Sequence, residues 1–123
     1  MRIVMDTNAY MMPVECDVRV FDELSRLLGT YESITPRAVI EELEKLSGTH
    51  GTERVAASVG RDLADRSTVV DTDAEYADDA VLECAAECDY AVTNDGPLKR
   101  RLLDAGVPVI CLRGGSKLHI TNP

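Results

Sequence analysis

Four acidic side chains, Asp6, Glu42, Asp78 and Asp95, fall at positions where an alternating β/α chain brings them to one end of a sheet. Carboxylates gathered within a few ångström raise one another's pKa and oppose folding, so such a cluster calls for a cation. Hard oxygen donors with open coordination positions suit Mg²⁺ or Mn²⁺ better than zinc. Two such ions, about 4 Å apart, activate a water and stabilise the leaving oxygen of a phosphodiester. Metal-assisted phosphodiester hydrolysis is therefore the expected chemistry.

The elements that must position these acids read as short apolar runs separated by segments of helical period. Strands are predicted over Arg2–Asp6, Tyr31–Thr35, Thr68–Val70, Tyr90–Thr93 and Val107–Leu112. They are continuous rather than alternating, as a parallel sheet covered on both faces requires. Helices are predicted over Val18–Leu28, Pro36–Leu46, Glu53–Arg66, Tyr76–Cys88 and Pro97–Ala105. Thr35-Pro36 and Asp95-Gly96-Pro97 each supply an N-cap followed by a first-turn proline. Residues 47–52, with two glycines and no apolar side chain, form the flexible connection between two helices. The expected fold is a three-layer α/β/α sandwich around a parallel sheet of about five strands in the order 3-2-1-4-5, as one domain over residues 1–123. The tail from Gly114 adds a short edge strand or stays loose.

In such folds ligands bind outside the carboxyl ends of the strands, at the point where strand order reverses. Asp6 leaves the first strand there, and Asp95 leaves the fourth, so the two face each other if those strands are neighbours. Each also has an ordinary reading, Asp6 as a turn opener and Asp95 as a cap. Between Glu41 and Glu42, helical spacing selects Glu42: Glu41 lies one turn from Arg37 and Lys45, whereas Glu42 shares the stripe of Val39 and Leu46. The same reasoning prefers Asp78, three residues before Val81, to Asp79, which shares a row with Glu83 and is left as a supporting acid. Acids in a helix's first turn are also favoured by the macrodipole alone.

The formal charge of −9, from 22 acidic and 13 basic residues, argues against unaided polyanion binding and resembles proteins of high-salt cytoplasm. No apolar stretch reaches the roughly 18 residues of a membrane span, and the expectation is a cytoplasmic protein with no membrane partner. Cys16, Cys84, Cys88 and Cys111 contain no C-x-x-C pair and are read as reduced, mostly buried thiols.

Together, Asp6-Thr7-Asn8, Pro36-x-x-Val39-x-x-Glu42-Leu43, Asp78-x-x-Val81 and Thr93-Asn94-Asp95, in this order and topology, resemble the PIN-domain nucleases over almost the full chain. Met12-Pro13-Val14, Ala77-Asp78-Asp79-Ala80, Leu98-Lys99-Arg100-Arg101-Leu102 and Gly106-Val107-Pro108-Val109 are most similar to the small-subunit-processome branch, whose members cleave precursor ribosomal RNA. The neighbouring branch, the VapC-like toxin ribonucleases, uses the same acids on the same fold. The resemblance implies an RNA endonuclease in which Asp6, Asp78 and Asp95 coordinate metal and Glu42 reaches it directly or through water. Asn8 and Thr93 would orient the carboxylates. Hydrolysis would leave a 5′-phosphate and a 3′-hydroxyl.

RNA contacts are expected from Lys99, Arg100 and Arg101 at the start of the last helix, with Arg113 and Lys117 beyond the last strand; the same residues also read as a solvated face and a basic tail. Expected partners are RNA, ribosome-assembly factors or an antitoxin, and a second copy of the chain. Two other classes compete. Receiver-type and haloacid-dehalogenase-like phosphoryl transfer needs paired acids or Asp-x-Asp after strand one, where Asp6-Thr7-Asn8 offers one acid. A catalytically silent PIN module in an RNA-assembly complex needs no working site.

Overall fold

The computed structural model describes all residues, 1–123. The elements run β1 (Arg2–Met5), α1 (Thr7–Glu15), α2 (Val20–Leu28), β2 (Glu32–Pro36), α3 (Arg37–Leu46), α4 (Gly51–Leu63), a 3₁₀ turn (Ala64–Arg66), β3 (Thr68–Val70), α5 (Ala77–Ala85), β4 (Tyr90–Val92), α6 (Gly96–Asp104), β5 (Val109–Leu112) and β6 (Leu118–Thr121). The sheet order is β3-β2-β1-β4-β5-β6, so the expected 3-2-1-4-5 core is present and the tail adds a sixth strand. Strands β1 to β5 are mutually parallel, and β6 returns antiparallel on β5, pairing Cys111 with His119.

Helix α1 has no counterpart among the predicted helices. Ala9, Tyr10, Met11 and Met12 are all buried, so the segment has no polar face and no amphipathic period to read. Pro13, an apparent breaker, lies inside it. Packing holds α1 against α4, and Gly60 makes that contact possible: a Cβ there would stand 2.8 Å from the Tyr10 carbonyl oxygen. Thr35 does not cap the second crossover helix; Pro36 takes the N-cap position without a side-chain bond. The Thr35 side chain is instead fully buried against the Tyr10 hydroxyl, which also bonds Ser67.

The central strand is the most deeply buried, with Ile3, Val4 and Met5 at 0% exposure. Each large apolar side chain so buried contributes about 1.5–3 kcal/mol, which makes β1 a fixed frame for the residues that leave its carboxyl end. Strand β1 pairs on one side with β2 (Val4 opposite Ile34) and on the other with β4 (Met5 opposite Val92). The order reverses between β1 and β4, and both strands end at the same edge.

Candidate active site

Asp6 is the first residue past β1, and its amide donates to the Val92 carbonyl at 3.0 Å, extending the β1–β4 ladder by one bond. It is 5% exposed and serves as N-cap of α1, with Oδ1 accepting the Thr7 amide at 2.8 Å. Its Oδ2 accepts the Thr93 hydroxyl at 2.7 Å and the Asn8 amide at 3.0 Å. Thr93, fully buried at the end of β4, also accepts the Asp95 amide at 3.0 Å. One hydroxyl thereby fixes the spatial relation of two acids 89 residues apart. Asn8 takes the Asn94 amide at 2.9 Å, and Asn94 takes the Leu112 amide at 2.8 Å, tying the exits of β1, β4 and β5 into one rim.

The electrostatics of Asp6 follow from that position. Burial pushes its carboxyl above the usual range, the Thr93 and Thr7 hydrogen bonds pull it back, and the negative charges of Glu42 and Asp95 push it up again. Asp95 occupies the N-cap position of α6, but its side chain makes no capping bond. Its carboxylate is thus not engaged in the role that would explain it as a cap.

Asp6, Glu42, Asp78 and Asp95 all line one cleft of about 540 Å³, together with Thr7, Asn8, Met11, Leu46, Glu53, Ala77 and Asn94. A larger concavity, about 640 Å³, opens at the amino ends of β2 and β3, where Arg66 lies among Asp22 and Glu32; no acid cluster gathers there. Glu42 and Asp78 reach the cleft by a different route from the one their spacing suggested. Neither lies on a buried stripe: α3 buries Val39, Ile40 and Leu43, and α5 buries Ala77, Ala80 and Val81. Both acids are exposed at the lip, where the packed layers end.

Asp79 is outside the cleft lining. Its carboxylate accepts the Arg101 guanidinium at 2.8 Å, and the same guanidinium stands 3.6 Å from Asp78. The basic residues expected to meet RNA are likewise placed outside the cleft lining. Lys99 directs its ammonium to the Cys111 sulfur at 3.4 Å, Arg101 is held by the two acids of α5, and Arg100, Arg113 and Lys117 are exposed. All four cysteines are free thiols, with Cys111 buried and Cys16, Cys84 and Cys88 half-buried.

Sequence reasoning missed Thr7, Met11, Leu46, Glu53, Ala77 and Asn94 as cleft residues. Thr7 and Met11 sit one turn apart on α1, the unrecognised helix, and follow from reading Asp6 as its N-cap. Glu53 stands in the first turn of α4. It was legible only as one acid among many, because the turn between α3 and α4 sets where that helix begins.

No three acidic, histidine or cysteine side chains converge closely enough to chelate an ion unaided. The donor set of the cleft is nevertheless all oxygen, and Mg²⁺ characteristically takes one or two carboxylates, several waters and substrate phosphates. The residues fit an ion completed by water and a phosphodiester, and do not fit a closed cage such as structural zinc requires. Thr7 adds an observation of the same kind: its Oγ1 is the one buried side-chain polar atom without a hydrogen-bond partner.

A reversed strand order with carboxylates collected at its exit is the architecture of a PIN-type domain, and the comparisons agree. A family model described as PIN like domain matches residues 3–115, and the chain belongs to that family. It is similar to Ribonuclease VapC4 of Methanocaldococcus jannaschii, 31% identical over 118 residues, covering 91% of this chain and 90% of that protein. It is also similar to Ribonuclease VapC9 of Archaeoglobus fulgidus, 32% identical over 120 residues, covering 95% and 87%. Among solved structures, that of the PIN domain endonuclease Utp24 matches with a TM-score of 0.79 at 24% identity, over 99% of this chain and 92% of that one, a likeness of fold. No helix is long and apolar enough to cross a membrane.

Proposed function

We propose that this chain is a divalent-cation-dependent RNA endonuclease acting in the manner of the VapC ribonucleases. The observation that carries the reading is the joint lining of one cleft by Asp6, Glu42, Asp78 and Asp95 at the β1/β4 exit. When bound, Mg²⁺ or Mn²⁺ supplies positive charge to the phosphodiester and acidity to a water. Asp6, held by Thr7, Asn8 and Thr93, is the fixed ligand. Asp95, set by the Thr93 hydroxyl, approaches from the other strand, and Asp78 and Glu42 close the lip. The products expected are a 5′-phosphate and a 3′-hydroxyl.

Processing of precursor ribosomal RNA, which the flanking phrases put first, is the weaker reading. The curated relatives at 31% and 32% identity are both named VapC ribonucleases, and the likeness to Utp24 at 24% identity speaks to fold. A catalytically silent module is disfavoured because all four acids line the one cleft.

The test is cleavage of generic single-stranded RNA and precursor ribosomal RNA in Mn²⁺ by the wild type and by Asp6→Asn, with circular dichroism to verify the fold. Cleavage by the wild type alone supports the proposal. Equal inertness of both proteins on every substrate replaces it with the binding module. Sequencing RNA crosslinked to the protein in cells separates a ribosomal precursor from other targets.

A further inference from the structure

Of the six ion pairs in the molecule, only the two made by Arg101 reach an acid of the cleft. Arg101 stands on α6, the helix whose N-cap position Asp95 occupies, and the buried Leu98 and Leu102 seat that helix on the core. Its guanidinium spans to α5, with one nitrogen 2.8 Å from Asp79 Oδ1 and another 3.6 Å from Asp78 Oδ2. Asp78 has little else to hold it. Its Oδ1 accepts the Asp79 amide at 2.9 Å, its Oδ2 accepts no hydrogen bond, and the side chain is 53% exposed. Asp6, by contrast, has both oxygens bonded. The Thr93 hydroxyl relates Asp6 to Asp95 but bonds nothing on α5. What relates Asp78 to the helix of Asp95 is therefore the Arg101 guanidinium.

Resting on the RNA endonuclease reading, we infer that the Asp79–Arg101 pair positions Asp78 for the divalent ion by setting α5 against the helix that begins at Asp95. At 3.6 Å the guanidinium attracts Asp78 Oδ2 by charge yet stands beyond hydrogen-bond distance, so the lone pairs of that oxygen stay open to an ion. Asp79 anchors the guanidinium at 2.8 Å and balances its charge, so an arriving cation meets a neutral pair and not a bare guanidinium. Arg101 is thus a positioning residue, in place of the phosphate contact that the run Lys99-Arg100-Arg101 suggested. Exposed ion pairs contribute little to stability. Partners that orient a metal ligand, by contrast, change ion affinity or activity by roughly 10–100-fold. A structural bridge and a positioning bridge therefore move different measurements.

The experiment titrates Mn²⁺ into the whole chain, with free ion read by electron paramagnetic resonance, for the wild type and for Asp79→Asn/Arg101→Gln. This double variant removes the bridge, nearly keeps the side-chain shapes and leaves the net charge beside Asp78 unchanged. It is expected to bind Mn²⁺ about tenfold more weakly, with a Tm within about 3 °C of the wild type. Mn²⁺ affinity within about twofold of the wild type overturns the inference, and a lowered Tm alongside it makes the bridge a structural link. Tighter Mn²⁺ binding by the variant also overturns it and makes Arg101 a competitor of the ion. RNA cleavage in Mn²⁺ by the wild type is measured in parallel. If the wild type cuts no RNA while the variant loses Mn²⁺ affinity, the endonuclease reading fails and the positioning role stands. Cleavage by the wild type with Mn²⁺ affinity unmoved in the variant removes the positioning role alone.

Discussion

Two carboxylates of this molecule, Asp6 in the cleft and Glu23 at the α2–β6 junction, are both held by several hydrogen bonds yet are shifted in opposite directions. Glu23 accepts two nitrogens of Arg26 at 2.9 and 3.1 Å and the Leu118 amide at 2.9 Å, while Arg26 donates to the Leu118 carbonyl at 3.0 Å. Its carboxyl is lowered to about 2, first by the Arg26 hydrogen bonds and then by the Leu118 amide. Asp6 has comparable donors but no cation, lies deeper, and faces Glu42 and Asp95, and its carboxyl is raised. At the junction Glu23 and Arg26 match each other's charge and both bond Leu118, and the result is a clip that docks the last strand. In the cleft the negative charge is left in surplus, which costs stability unless a cation arrives. Satisfied charge marks structure here, and unsatisfied charge marks the site.

Substitutions at the two regions should therefore separate activity from stability. The largest effect is expected for Asp6→Asn, which should lower Mn²⁺-dependent RNA cleavage by more than about 100-fold, since even partners that only orient a metal ligand cost roughly 10–100-fold; initial rates on a labelled single strand read this. Glu23→Ala should leave cleavage intact and lower Tm by roughly 3–6 °C, as expected for the loss of hydrogen bonds to a charged acceptor in a domain of this size. Calorimetry that found no change would show the clip to be idle. Thr7→Val should raise Tm by about 2–4 °C, because it removes a buried hydroxyl that has no partner.

The pH dependence sharpens the same contrast. A raised folded-state pKa at Asp6 means that its destabilising contribution is present above that pKa and is lost as pH falls through it towards the ordinary value of 3.8. The Tm of the wild type should consequently gain on that of Asp6→Asn as acid is added. Glu23, lowered from 4.5 to about 2, contributes stability that is full above 4.5 and lost as pH falls through about 2. The deficit of Glu23→Ala should shrink over that lower window. Thermal melts of both variants across acidic pH check the two directions together.

Much of the fold was legible because its signals are local. Four of the five parallel strands, β1, β3, β4 and β5, are short apolar runs, while β2 carries Ile34 among polar residues, and the caps at the exits of β1 and β4 are strings of Asp, Thr and Asn whose hydrogen-bonding groups sit within two residues of one another. Helix α1 was not legible, since it is buried among other elements and shows no polar face. Glu42 and Asp78 were chosen for a buried stripe that neither occupies; what brings them to the cleft is their position at the sheet's carboxyl edge, where side chains project past the packed layers.

The amino-acid order alone determined the alternation of strand and helix, the acids at two strand exits and the absence of any metal-binding cysteine pattern, because these depend on residue type and short spacing. Only the tertiary structure decided that Thr93 would bond Asp6 across 87 positions, that Asp79 would be taken by Arg101, and that Glu53 would line the same cleft as the four acids. Such contacts arise from strand register and helix packing, which sum interactions over the whole chain and leave no mark in any one stretch of it.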